Sequence, residues 1–427
     1  MKIRDLRNTQ IAIGDPPLLN AAGLHAPYAL RIIVELVTDS GIIGLSEIPG
    51  SEKIFQALED LKPTLIDQDV FQLNTLKKLI QEKFEKEEDD RGVAPWDQRL
   101  LVHLFSAIEV ACLDAIGKRL GRPVVDLLGG KAREKVPFAA YLFYKYEGAG
   151  GEFGFGLEAN QHGWSNARQA EALSEEQIVR QAKAMCDEFG FQSIKLKGGA
   201  RPPEVECETM LALRRAFGPD VPLRLDPNAI WSIETAVKYG KRLEGVLEYY
   251  EDPVRGQENM AFLSQKVDIP LATNMCTTSF DDIPDSIRLG SEHIILSDHH
   301  FWGGLRACVE LNKICHTFGR GFSMHSNSHV GISMAAMVHL GAAVPHLDYA
   351  LDTHYPWQTD EVIQGGKIKI IDGYVTVPDG PGLGVELDYN QLENLHRQFL
   401  DCGLKERNDE IEMRKVEPEW SFQLQRW

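Results

Sequence analysis

Eight short apolar runs, each ending on a polar residue and followed by a helix-length segment, constrain this chain more than any other feature. From Val136 onward the runs end at Tyr141 (YLF), Lys197 (IKLK), Asp226 (LRLD), Glu251 (LEYYE), Asn274 (LATN), Asp298 (IILSD), His325 (FSMH) and Asp352 (YALD). The steps from Lys197 onward are 29, 25, 23, 24, 27 and 27 residues. A step of that size is one strand–helix unit, and eight in series predict an α/β chain closed into a (β/α)8 barrel. An open doubly wound sheet rarely needs eight consecutive units. The Gly-rich stretch 147–156 (EGAGGEFGFG) interrupts the first unit. It has no GxGxxG between strand and helix, so it reads as a mobile loop and not as a phosphate cradle.

The N-terminal third has a different grammar. Ala29 to Thr38 and Ile42 to Glu47 are β-rich runs joined by Asp39-Ser40-Gly41, a hairpin signal. A charged helical stretch follows, from about Glu52 to Lys86, ending in the run EKEEDDR, which reads as a solvated helix end. Apolar residues at helical spacing (Leu101, Leu104, Ile108, Ala111) place another helix between about Asp97 and Leu120.

A barrel gathers its strand ends at one mouth, where the active sites of such folds lie. Asp226, Asn274 and a glutamate of the fourth unit stand on three consecutive strands, about 4.8 Å apart, so their oxygens can converge on one hard cation. Glu251 at the strand end and Glu258 seven residues later compete for the middle place. All-oxygen donors without cysteine favour Mg2+. Lys195 and Lys197, two apart on one strand, leave the same face. Crowding and burial should lower their pKa and make a usable base near neutrality. Strand six ends in Asp298 and strand seven in His325, the pairing of a carboxylate with an imidazole base. A cation with a lysine base on one side and a His–Asp base on the other suits removal of a proton next to a carboxylate. That chemistry leads either to racemisation or to loss of water.

Composition sets the outer bounds. With 45 Lys and Arg against 63 Asp and Glu, the net charge is -18, which excludes nucleic acid and anionic membranes as partners. Seven cysteines without a CxxC pair read as reduced thiols. The N-terminal residues MKIRDLRNTQIAIGDPP carry no signal-peptide pattern, and the apolar stretch from Gly331 is too short to span a bilayer. A cytoplasmic enzyme is the expectation.

Taken in order, KLKGG, LDPN, YEDP, ATNM, SDHHFWGG, HSNSH and LDTHYPWQ resemble the glucarate dehydratase group of the enolase superfamily. The resemblance implies an α+β cap over the barrel mouth, with residues 1–130 as cap, 131–355 as barrel and 356–427 completing both. It implies Mg2+ and dehydration of an aldarate or related acid sugar to a keto-deoxy acid; a homo-oligomer is a separate expectation. In its terms Lys197 is the base for one C5 epimer, His325 held by Asp298 is the base for the other, and Lys195 stabilises the enediolate. His25, Tyr141, Asn228, Asn327, His354 and Arg426 match substrate-contacting positions. Asp226, Asn274 and Glu258 become the metal ligands, with Glu251 as the fallback, because Gln257 stands where the family has its glutamate. Pro95 replaces a threonine that touches substrate, and His299 replaces a proline. A racemase or epimerase, or a non-catalytic relative, is the rival reading.

Overall fold

A computed structural model describes residues 1–87 and 90–427; two acidic residues of the EKEEDDR run, Glu88 and Asp89, lie outside the described residues. The N-terminal region opens with a strand the sequence reading did not anticipate. Ile3–Gly14 pairs antiparallel with Tyr28–Thr38, which pairs in turn with Ile43–Pro49 across the expected hairpin. Alternation along Tyr28–Thr38 divides its side chains between two cores. Ile32, Val34 and Leu36 pack with the helices beside the sheet, and Ile33 joins the barrel core.

The charged helical stretch is two helices, Glu52–Leu65 and Leu73–Lys83. Ser51 caps the first by accepting the Ile54 N–H at 3.2 Å, a contribution of about 1 kcal/mol. Asp67, in a left-handed conformation at φ 64°, breaks the run. The third helix, Leu100–Leu120, is long and apolar enough to cross a membrane, yet 83% of that window is buried inside the molecule. It is a core helix, stopped by Gly121 at φ 64°.

Among the described residues the barrel contains seven parallel strands in sequential order: Ala140–Phe143, Ile194–Lys197, Leu223–Asp226, Tyr249–Glu251, Leu271–Thr273, Ile294–Ser297 and Gly321–Met324. The expected eighth strand is reduced to a single parallel bridge between Phe138 and Leu351. Leu351 donates to Pro137 O at 2.9 Å and Asp352 to Met324 O at 3.1 Å, so this segment still ties the seventh strand to the first. The Gly-rich stretch is a packed turn in this structure. Gly148 donates to Gln169 O and Gly151 to Pro27 O, and a Cβ on Gly150 would lie 2.0 Å from Asp15 O.

The C-terminal residues return to the N-terminal sheet. From the helix Tyr389–Cys402, Gln398 donates to Ala12 O and Tyr389 to Glu35. Asp409, at the start of the last helix, accepts from Asn20 at 2.7 Å. Both ends of the chain therefore build the layer above the barrel mouth.

Candidate active site at the barrel mouth

Polar residues at or just after six strand ends, Lys197, Asp226, Glu251, Asn274, Asp298 and His325, gather at the barrel mouth. Register puts Lys197 beside Asp226 on neighbouring strands, and Lys197 Nζ lies 2.8 Å from Asp226 Oδ2. Lys195 points into the barrel two residues deeper and is fully buried. Its ammonium lies 2.6 Å from Glu251, 2.6 Å from Asp352 and 3.4 Å from Asp226. Asp352 also reaches Arg224 at 3.5 Å, and Arg224 holds Glu248 at 2.7 Å, so the floor of the site is a buried ladder of opposite charges.

The two lysines differ, contrary to the expectation that both would be acidified. Burial lowers Lys197, aided by the Lys195 charge and opposed by Asp226. For Lys195 burial acts the same way, but Asp352 and Glu251 overcome it and hold the ammonium well above the usual lysine range. Lys195 is a fixed positive charge, whereas Lys197 is shifted toward its neutral form.

Asp226, Glu251 and Asn274 converge beside these lysines. Asn274 Nδ2 donates to Glu251 Oε1 at 3.2 Å, leaving its own buried Oδ1 without a hydrogen-bond partner among the described residues. Burial and the nearby Asp226 push the Glu251 carboxyl well above its usual range. A crowd of carboxylates with an unsatisfied amide oxygen is a donor set that fits a hard divalent cation. Asp252 braces it from behind, accepting the Thr273 hydroxyl at 2.5 Å and the Asn274 N–H at 2.8 Å.

Glu258 is not brought to this cluster. It stands exposed in the first turn of the helix Gln257–Ser264, which begins only after the strand has left the mouth. Gln257, one residue earlier, turns away to Thr277 and Asp282. Glu251, the fallback, is the glutamate with its carboxylate among the other donors.

Across the cavity, His325 Nδ1 faces Asp298 Oδ2 at 3.2 Å, and its ring stacks on Phe301 at 5.2 Å. Burial lowers the imidazole pKa despite Asp298, so the ring is neutral near pH 7 with Nε2 unprotonated when Nδ1–H faces the carboxylate. Burial would raise Asp298, but His300 and His325 hold it well below the usual carboxylate range.

Lys197, His325, His354, His25 and Asn327 line one cavity of about 40 Å³ closed from above by Leu18, Asn20, Pro95 and Trp96. A second cavity of about 260 Å³ shares His25, Trp96, Asn327 and Arg407 with it and continues between the cap sheet and the barrel. His25 is held by Asp15 at 2.8 Å, and His354 by Ser326 at 3.1 Å through its backbone N–H. Pro95 occupies the wall as expected, offering no hydroxyl there.

Three other sequence-named residues are placed differently. Tyr141 lies under the lysines, its ring 4.7 Å from Lys195 Nζ, and Asn228 donates to Asp226 Oδ1 at 2.9 Å. They support the charged groups and do not line the cavity. Arg426 stacks on Trp420 at 4.5 Å and donates to Ser421 O, away from both cavities. A cation that does enter the cavity wall, beside Lys197, is Arg407, which sequence reading missed. It lies over Trp96 at 4.1 Å and is oriented by a two-point contact with Asp409 at 2.7 and 2.6 Å. Its neighbours Glu406 and Asn408 look like any polar surface run, so nothing local distinguished it. His299 is buried against the His300 ring at 3.9 Å.

Comparison with known proteins places the fold in a family. The profile described as "Enolase C-terminal domain-like" matches residues 177–391, and "Mandelate racemase / muconate lactonizing enzyme, N-terminal domain" matches residues 20–129. A probable glucarate dehydratase of Streptomyces coelicolor is 44% identical over 96% of this chain and 95% of its own. An enolase from Mycobacterium smegmatis, crystallised with tartrate, superposes with a TM-score of 0.91 at 46% identity, covering 100% of this chain and 98% of its own. A Pseudomonas fluorescens enolase with bound magnesium, potassium and tartrate gives 0.92 at 46% identity, over 100% and 99%.

Proposed function

The chain belongs to the enolase superfamily, in its mandelate racemase and muconate lactonizing enzyme group, and from that premise we propose that it is a Mg2+-dependent dehydratase of acid sugars with an aldarate such as glucarate as substrate. The observation that carries this reading is that Lys197 and His325 wall the same cavity beside the Asp226–Glu251–Asn274 cluster. Solved relatives that bind magnesium and tartrate support the cation and the hydroxy-acid ligand.

Asp226, Glu251 and Asn274 would hold Mg2+, which supplies positive charge beside the carboxylate whose α-proton is removed. Lys197 Nζ accepts that proton from one face of the substrate and His325 Nε2 from the other. Lys195, kept charged by Asp352 and Glu251, faces the developing negative charge. A base alone contributes about 10²–10⁴-fold, so fixed charge must provide much of the remaining acceleration. Arg407 and His25 lie where the distal part of a diacid would sit, and Trp96 and Pro95 exclude water. The α C–H bond breaks as Lys197 or His325 takes the proton, the β C–O bond breaks with its oxygen leaving as water on a proton returned by the protonated base, and the enol product tautomerises to a keto acid.

Incubation with a panel of aldarates and aldonates should give a semicarbazide-reactive keto acid with Mg2+ and none with excess chelator. Failure of every acid in the panel would end the proposal. Two bases on different sides of one cavity also suit 1,1-proton transfer. Exchange of the α-proton in D2O without loss of water, read by NMR, would favour a racemase or epimerase instead.

A further inference from the structure

Behind His325 lies a set of buried contacts that reaches from the barrel into the cap. Asp298 presents Oδ2 to His325 and Oδ1 to a second histidine, His300, whose Nδ1 and backbone N–H are both 2.8 Å away. Asn327 donates its amide to Oδ2 at 3.4 Å. Both of these flanking residues lead to one side chain of the central cap strand. Arg31 Nη1 donates to Asn327 Oδ1 at 2.9 Å, and Nη2 lies 3.3 Å from His300 Nε2.

Arg31 therefore reaches each oxygen of Asp298 through one intervening residue. It is only 2% exposed and is held by Glu47 of the next cap strand at 2.8 Å. Glu47 in turn receives the N–H groups of Val330 at 2.9 Å and Ser333 at 2.8 Å, at the start of the barrel helix Gly331–Ala343. His300 Nε2 also lies 3.0 Å from the Glu47 carbonyl. The cap is thus bonded directly to the support of His325.

We propose that His300 is a positioning residue which, with Arg31, fixes Asp298 so that the His325 base is assembled only while the cap sheet is seated on the barrel. The inference rests on the acid-sugar reading above. A carboxylate held by one 3.2 Å contact can rotate and lose the Nδ1–H of His325. Pinning its other oxygen from His300 removes that freedom and keeps Nε2 free to take a proton. Lys197 has no such dependence: its partners, Asp226 and the Tyr141 ring, both belong to the barrel. The two bases then differ in kind, one complete within the barrel and one completed by the cap.

The test uses the full-length protein with Mg2+ in D2O and follows α-proton exchange by NMR on glucarate and on its C5 epimer. His325→Asn identifies which epimer uses that base. For that epimer, His300→Phe should lower exchange by about tenfold to hundredfold, the scale of a displaced catalytic group, with less than about twofold change for the other epimer. His300→Gln, which keeps a donor toward Asp298, should restore part of the loss. An equal fall for both epimers, or no fall for either, overturns the proposal. Histidine-selective ¹⁵N spectra give a readout independent of turnover. His325 should be the Nδ1–H tautomer in the parent protein and a mixture in His300→Phe and in Arg31→Met. An unchanged tautomer in both variants overturns the positioning role even if no sugar is turned over. Absence of exchange by the parent protein on both sugars would instead count against the acid-sugar reading.

Discussion

Glu251 and Glu258 are separated by one turn of loop and the start of a helix, and the fold treats them oppositely. Glu251 is the last residue of a strand that ends inside the mouth, whereas Glu258 is carried outward by the helix that follows. Glu251→Gln should weaken Mg2+ binding by about hundredfold or more, measured by titration calorimetry, and Glu258→Gln should leave it within about twofold. The reverse ranking would reassign the ligand. The bases carry a pH expectation too. Burial lowers the His325 pKa, and in the proposed reaction its neutral form takes the proton. The acidic limb of exchange on the His325 side should therefore fall below about pH 6.5, the ordinary histidine value. A limb above that value would contradict the burial argument. Residue types at strand ends were legible in the sequence because a core rejects them. The unlike charge states of Lys195 and Lys197 were not, because Asp352 arrives 157 residues later.

Among the elements, the contact between the hairpin strand Ile43–Pro49 and the helix Leu100–Leu120 sets how the cap is built. Gly44 allows it, since a Cβ there would lie 1.9 Å from the Ala111 carbonyl oxygen. Backbone on both sides cannot yield, so Gly44→Ala should destabilise by roughly 1–3 kcal/mol or more, seen as a lower melting temperature. Gly41, at φ 77° with open space around it, is the contrast. Gly41→Ala meets only left-handed strain, about 1 kcal/mol, and should melt higher than Gly44→Ala. Equal melting of the two would refute the close-approach argument. The hairpin was readable from Asp39-Ser40-Gly41. The first strand, Ile3–Gly14, was not, because it is recognisable only beside its partner, where Ile11 pairs with Arg31.

At the scale of the whole molecule, stability should follow the buried histidines. His329 and His339 are both pushed down to about 4 by burial. A depressed folded pKa means that the unfolded chain binds the proton more readily. Their contribution is complete above about pH 6.5 and is lost as pH falls toward 4, by roughly 3 kcal/mol at most for each. His339 accepts the Val125 N–H on Nδ1 and faces Leu383 O with Nε2, roles that a glutamine amide can share. His339→Gln should flatten the fall in melting temperature between pH 6.5 and 4.5, and an unchanged slope would show that other groups control it. Glu206 works in the opposite direction: burial raises it to about 8, so its contribution declines as pH rises from about 4.5 through that value.

The sequence by itself determined the strand–helix period, the polar residues at the strand ends and therefore the α/β barrel with its chemistry at one mouth. These are local matters, since the spacing of apolar runs and the residue type at each strand end are written in the chain itself. Tertiary structure alone decided that Glu251 and not Glu258 stands beside Asn274, that Arg407 and not Arg426 enters the cavity wall, and that the eighth strand is only a bridge. It also decided the meaning of the -18 net charge. Lys195, Lys197 and Arg407 stand against Asp226, Glu251, Asp352 and Asp409, so these side chains carry no surplus of positive charge. Since charge acts over about 10 Å or less in salt, local attraction of an acidic ligand would fall to a cation held by the acids.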